Sequence, residues 1–268
     1  MGPGFHGFGL RPAGNGEDFD PFLSVDHFRM SSPTFPPHPH AGFSAATYLF
    51  SDSETPMVNR DSLGHRGDIL AGDLHWTQAA AGLMHEEVPK KTGLVSHGLQ
   101  VFVNLPACNK HEPPSIRHVD GWTMPRWTIG PAEAKLVFGA YEGQASAWQP
   151  LSNATLIEVA LPTGASVALP VPAGLNAFAL VIDGQVDSPG ARKPFTLTPA
   201  VGLVLPGDEG DAIELKASSV PARVVVFLGR PLREPVVSYG PFTMNTEAEI
   251  VQARRDFAAG RMGRLGAG

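Results

Sequence analysis

Two short motifs in this chain concentrate groups able to hold a metal: His38-Pro39-His40 and, further along, His85-Glu86-Glu87. In each, the chemically useful residues are two apart. Successive side chains of a β-strand point to opposite faces, so residues i and i+2 share a face. Two such strands side by side would aim His38, His40, His85 and Glu87 at a common point. Three imidazoles and a carboxylate form a ligand set for a first-row transition ion, with iron, copper, zinc, nickel and manganese all compatible. All ten histidines lie at or before His118. Whatever needs imidazole is therefore done in the first half.

Holding such pairs in place requires short, closely paired strands, and the sequence reads that way. Strands are expected over 22–28, 43–50 and 74–76. Leu99, Val101, Val103 and Leu105 alternate with Gln100, Phe102 and Asn104, a period of two with one apolar face. Asp61-Ser62-Leu63-Gly64 and Ala71-Gly72-Asp73 read as turns. The second half repeats the pattern over 156–161, 166–169, 177–182, 195–198, 203–205 and 223–228, and Asp183-Gly184 predicts a hairpin. Pro206-Gly207-Asp208 echoes Ala71-Gly72-Asp73, a hint of duplication. The stretch 109–130, rich in Pro, His, Trp and Arg, reads as an irregular connector. One helix is predicted near the end, with Thr246 as N-cap and Glu249 three residues on. Ile250, Val251, Ala253, Phe257 and Ala258 give it an apolar stripe, and Gly260 a stop. The expected fold is all-β: two antiparallel barrels in tandem, closed by that helix. The first is expected over 1–118, a linker over 119–134, and the second barrel with the helix over 135–268.

Composition narrows the class. The length suits one large or two ordinary domains. Charged residues are 17% of the chain, and 30 Gly and 26 Pro mark a turn-rich composition. A net charge of −6 argues against a broad basic face for nucleic acid. Cys108 is the single cysteine, so no intrachain disulfide forms, which suits a reducing compartment. No apolar run approaches the roughly 18–20 residues of a membrane span. The first eleven residues lack the charged-then-apolar pattern of a signal peptide. A cytoplasmic monomer is the expectation.

Several motifs in order resemble the pirin family. They are Phe35-Pro36-Pro37-His38-Pro39-His40-Ala41-Gly42-Phe43, Arg60-Asp61-Ser62-Leu63-Gly64-His65-Arg66-Gly67 and Gly72-Asp73-Leu74-His75-Trp76. Gly82-Leu83-Met84-His85-Glu86-Glu87 and the run from His97 to Pro106 follow. Gly240-Pro241-Phe242-Thr243-Met244-Asn245-Thr246 extends the likeness to the C-terminal end. The resemblance implies a bicupin with one mononuclear metal, usually iron(II), held in the first barrel by His38, His40, His85 and Glu87. Glu86 would point away. It further implies a quercetinase-like dioxygenase acting on a phenolic, flavonol-type substrate with dioxygen, in which Glu87 also accepts the phenolic proton. The alternative it implies is a non-enzymatic, iron-dependent redox sensor that regulates a protein partner or transcription.

The chain departs from the family pattern near the site. Ala41 replaces the usual Arg, Phe43-Ser44-Ala45 stands for FET-like residues, His75 for Gln, and Ala80-Ala81 for Gly-Arg. A flavonol is expected to be held loosely in consequence. His75 is either a hydrogen-bonding partner of a ligand imidazole or an ordinary strand histidine. His27, His65 and His97 read as structural. His6, His111 and His118 read as solvated, Cys108 as an unreactive thiol, and Trp76 and Phe102 as barrel packing.

Overall fold

The computed structural model describes residues 4–12, 16–188, 195–197, 202–205 and 212–265. Two units divide the chain. One contains residues 4–8, 24–122 and 233–265, the other 9–12, 16–23 and the described part of 123–232. Each is an antiparallel β-structure built on a six-stranded and a four-stranded sheet with a two-stranded hairpin beside them, as the short-strand pattern predicted.

The strands of the first half are β1 (Phe5–Leu10), β2 (Phe22–Met30), β3 (His38–His40), β4 (Phe43–Leu49) and β5 (Met57–Asp61). They continue with β6 (Arg66–Ile69), β7 (Leu74–Gln78), β8 (Leu83–Pro89), β9 (Ser96–Asn104) and β10 (Ser115–Val119). One sheet runs β1-β2-β9-β4-β7-β10 and the other β3-β8-β5-β6. Alternation fixes which face is inside: β8 reads buried at every second residue from Leu83 to Pro89. Phe28, Met30, Leu49, Met57 and Ile69 close one end of the space between the sheets.

The second unit is built from β11 (Arg126–Ile129), β12 (Ala132–Phe138), β13 (Ala140–Tyr141), β14 (Gln144–Ala145), β15 (Ala154–Leu161) and β16 (Ser166–Pro170). It continues through β17 (Asn176–Asp183), β18 (Val186–Ser188), β19 (Phe195–Leu197), β20 (Gly202–Leu205), β21 (Ala212–Ala217) and β22 (Ala222–Gly229). Its larger sheet, β11-β12-β15-β22-β17-β20, faces β16-β21-β18-β19 across an aliphatic core that includes Ile157, Val159, Leu169, Val181, Leu215 and Val226. The chain ends with the hairpin of β23 (Val237–Tyr239) and β24 (Phe242–Met244), then α1 (Glu247–Ala258).

Three expectations need correction. Asp183-Gly184 turns the chain, but β18 does not pair with β17. β17 bonds β22 and β20, whereas β18 bonds β19 and β21, so the turn carries the chain between sheets. The supposed irregular connector contains two strands, β10 on β7 and β11 on β12. The helix belongs with the first unit rather than the second. Its buried Ile250 and Ala253 pack with Ala41, Phe242, Met244 and Met262. The helix start is as read: Thr246 accepts from Glu249 N at 3.2 Å. The Pro206-Gly207-Asp208 echo lies outside the described residues.

Backbone and side chain together tie the C-terminal segment to the first unit. Ala41 N donates to Pro241 O at 3.2 Å, and Thr243 N donates to Ala41 O at 3.0 Å. Gly42 has φ +83°, and a Cβ there would fall 1.8 Å from Thr243 O, so only glycine permits this approach. The fully buried Lys110 ammonium donates to Gly42 O (2.6 Å), Asn104 Oδ1 (2.5 Å) and Thr243 O (3.3 Å).

Candidate metal centre

β3 and β8 are antiparallel neighbours with His38 directly opposite His85. His40 lies two residues from His38 on the same face, so the three rings meet. Their centroids are separated by 4.8 Å (His38–His40), 4.7 Å (His38–His85) and 4.8 Å (His40–His85). One nitrogen from each lies within 4.8 Å of the others. His38 Nδ1 sits 2.9 Å from Pro36 O, which fixes the tautomer that donates there and leaves Nε2 as a lone pair. His40 and His85 are buried, and none of their four ring nitrogens makes a well-directed hydrogen bond, although the Pro241 backbone lies near the His40 ring. A buried polar atom without a partner costs about 1–3 kcal/mol. Two adjacent imidazoles in that state are what metal ligation satisfies, so the residues fit a divalent ion.

Charge agrees. Burial, then the neighbouring His38, pushes His40 down to about 3. Burial, with His40, His38 and His75 nearby, holds His85 well below its ordinary value. Both rings are therefore neutral at pH 7, the form that binds metals.

Glu87 is buried on the same face of β8 but stands apart from the three-imidazole group. Its Oε2 accepts from Thr47 Oγ1 at 2.6 Å and from Gln100 Nε2 at 3.4 Å. Burial raises its carboxyl to about 7, opposed by the Thr47 bond. Glu86 points away, where Arg60 Nη2 donates to it at 2.5 Å.

Sequence reading missed three pocket residues. Thr47 and Gln100 hold Glu87, and their register (Thr47 opposite Gln100) puts both on the inner face. Asn59 lies directly opposite Glu87 on β5, is buried, and neither its Oδ1 nor its Nδ2 has a partner. Alternation along β4 and β5, once β8 was placed, would have found all three. Phe43 and Phe102 form an apolar wall on His40, with centroids 5.0 and 5.2 Å from its ring. Phe102 thus touches a candidate ligand rather than only packing the barrel.

The departures from the family pattern fall unevenly. Ala41 faces away from the imidazoles into the cluster with Phe242 and Met244, so it bears on C-terminal packing and not on the pocket. Ser44 alternates with inward-facing Phe43 and is turned from the site. Ala80 has φ +44°, a left-handed backbone where glycine is at ease. Ala81 is exposed. Two substitutions fall on the pocket's inner face: Ala45, which shares a face of β4 with Phe43 and Thr47 and stands opposite Phe102, and His75, directly opposite Thr47. His27 and His97 are structural: their Nε2 atoms are 2.8 Å apart, and His97 Nδ1 is 3.0 Å from Asp52. His118 is not loosely solvated, since its Nε2 lies 3.2 Å from Asp73 Oδ2. Cys108 is exposed.

Among the described residues no helix is long and apolar enough to cross a membrane. The family model described as Pirin matches residues 7–103, and that described as Pirin C-terminal cupin domain matches residues 156–263. Pirin-like protein 2 of Arabidopsis thaliana is 36% identical over 91% of this chain and 76% of its own length. A protein of Pseudomonas aeruginosa named as a candidate quercetin 2,3-dioxygenase is 36% identical over 91% of this chain and 87% of its own. A crystal structure of quercetin 2,3-dioxygenase from Acinetobacter baumannii superposes with a TM-score of 0.86 at 27% identity, covering 99% of this chain and 94% of that one.

Proposed function

The chain belongs to the pirin family, and from that premise we propose that it is a metal-dependent dioxygenase of phenolic, flavonol-type rings. Its family and its quercetinase-like relatives imply a divalent metal cofactor. We assign the ion to His38, His40, His85 and Glu87, and take it to be iron(II). The observation that carries the reading is the convergence of three imidazoles, two of them neutral and buried with no well-directed hydrogen bond in the protein. When bound, such an ion supplies a Lewis acid that favours the phenolate form of a ring hydroxyl, and iron supplies affinity for dioxygen.

The chain's own residues do the rest. Both hydrogen bonds to Glu87 fall on Oε2, from Thr47 and Gln100. Oε1 is then the atom for the ion or for a phenolic proton, and Glu87 is the carboxylate on the imidazoles' face of β8. Asn59, opposite it, offers an amide to a second ring oxygen. Phe43 and Phe102 present apolar surface to an aromatic ring and exclude water from it. With Ala41 turned away from the pocket, the absent Arg at that position gives no reason for a flavonol to bind loosely.

Loading the protein with iron(II) without oxygen, then admitting air with flavonols and catechols, tests the assignment. Dioxygen uptake coupled to ring cleavage is expected, and its loss in the His38→Ala, His85→Ala variant. No uptake across the set would overturn the enzymatic reading in favour of a redox-responsive regulator.

A further inference from the structure

The pocket beside the three imidazoles has two unlike sides. Phe43 and Phe102 make one of them apolar at His40. Strand pairing leads away from that wall to β7. On the six-stranded sheet one row runs Phe102, Ala45, Thr77, and the next runs Gln100, Thr47, His75. Residues directly opposite one another in an antiparallel pair share a face. Phe102 lies against the His40 ring, and Thr47 and Gln100 bond Glu87, so both rows look into the pocket. Thr77 and His75 therefore look into it too. On the four-stranded sheet the matching row is Glu87, Asn59, Gly67. His75 acts on His85, and Asp61 of β5 acts on His75, which sets β7 against β5.

The residues at this β5–β7 side share a second property. Asn59 Oδ1 and Nδ2, Thr77 Oγ1 and His75 Nε2 are buried, and none has a hydrogen-bond partner. Asn59 is 1% exposed, Thr77 0% and His75 5%, so water outside the protein does not serve them. Nε2 sits at the far end of the ring, so an inward-facing His75 carries it away from its own strand into the interior. Asp61 is different, because its Oδ1 already accepts from Leu63 N (2.8 Å) and His65 N (3.2 Å). Ala45, standing between Phe102 and Thr77, offers the Thr77 hydroxyl nothing to bond. Leaving such groups dry is costly, and several converging on one side of an otherwise apolar pocket mark where a polar part of a ligand sits.

Charge sets the class of that part. No Lys or Arg stands in these rows, whereas Glu87 and Asp61 are acidic. An anionic substituent would meet carboxyls and no cation. A neutral hydroxyl both donates and accepts, and so between them do the Thr77 hydroxyl, the Asn59 amide and a neutral imidazole. Beyond Asn59 the row ends at Gly67, where an added Cβ would meet nothing within 4 Å, so the polar side is not closed off there.

We propose that Asn59, His75 and Thr77 form a hydroxyl-binding subsite on the β5–β7 side of the pocket, which selects phenolic substrates carrying a further neutral hydroxyl away from the reacting one. This rests on the function assigned above and names the substituent that decides among its substrates.

Calorimetric titration of the iron(II)-loaded full chain without oxygen tests it, with binding read in place of turnover. The probes are quercetin and the same flavonol without hydroxyls on its pendant ring. The native chain should bind quercetin at least about tenfold more tightly, the effect of one or two buried hydrogen bonds. Thr77→Val and His75→Leu remove hydrogen-bonding atoms, and Thr77 Oγ1 and His75 Nε2 have no bond in the folded chain to lose. Each should cut the preference about three- to tenfold, and the two together should bring it near one. Affinity for the bare flavonol should stay within about twofold of native. Equal weakening of both flavonols would make these packing residues and overturn the subsite. Equal affinity of the native chain for the two, or no binding of either, would overturn it as well, whether or not quercetin is cleaved in air. Hydroxyl-selective binding with no dioxygen uptake would keep the subsite and remove the dioxygenase reading instead.

Discussion

Glu87 is held at Oε2 by Thr47 and Gln100 while three imidazoles converge apart from it on the same face, and this division of labour makes separable demands on single residues. Glu87→Gln preserves shape and removes the proton acceptor. Turnover of the iron-loaded protein should fall about 10²–10⁴-fold while most of the metal remains; undiminished turnover in metal-replete Glu87→Gln would remove the base from the scheme. Asn59 makes a different case. Its amide is buried and unbonded, so Asn59→Ala discards a desolvated group with no bond to lose. Thermal stability should hold within about 1 kcal/mol while KM for the phenolic substrate rises several-fold. A drop in stability with unchanged KM would make Asn59 a packing residue. The three converging imidazoles were legible because histidine is scarce and its spacing of two has a direct geometric meaning. Thr47, Gln100 and Asn59 were not, because threonine and amides occur on solvent faces equally often. Only the pairing of β8 with β5, and the Thr47 bond across to β4, tells which way they point.

At the scale of elements, strand alternation carried most of the fold, since a buried face every second residue leaves a periodic trace. It could not tell which strands pair. Asp183-Gly184 has the composition of a hairpin turn, yet β17 and β18 find partners in different sheets. The link between β4 and the C-terminal hairpin was equally hidden, because it depends on Lys110, whose type suggests solvent. Its amine is buried and donates to Gly42 O, Asn104 Oδ1 and Thr243 O. Burial lowers it from 10.5 to about 8, against the attraction of Glu234 and Glu249. A lysine whose pKa is lower in the folded state carries its charge there at a penalty. That penalty is full below about 8 and fades as pH rises toward 10.5. Lys110→Met removes the titration altogether. The stability of the native chain minus that of the variant, from urea unfolding, should therefore increase between pH 7 and 10, by up to about 3 kcal/mol. A constant or falling difference would show that the amine is not held back by burial.

For the whole molecule, the histidine boundary at His118 and the unit boundary after Trp122 nearly coincide. Metal should therefore stabilise only the first unit. Chelation should speed amide hydrogen exchange in β3, β5 and β8 and leave β15, β17 and β22 unchanged; faster exchange in both groups would mean the two units respond together. The sequence order misled on one point of organisation: the helix follows the second unit along the chain but belongs to the first. Adjacency is a fair guide when connections are short, and here the return is encoded in contacts rather than in order. That return has a consequence during synthesis. A ribosome delivers Ser24–Trp122 early and the segment from Arg233 onward last. The carbonyl of Pro241 that receives Ala41 N–H, one residue from His40, is still untranslated when the second unit is already made. The first barrel to emerge is thus finished late: the backbone beside His40 gains its Pro241 and Thr243 partners only after the second unit has been made.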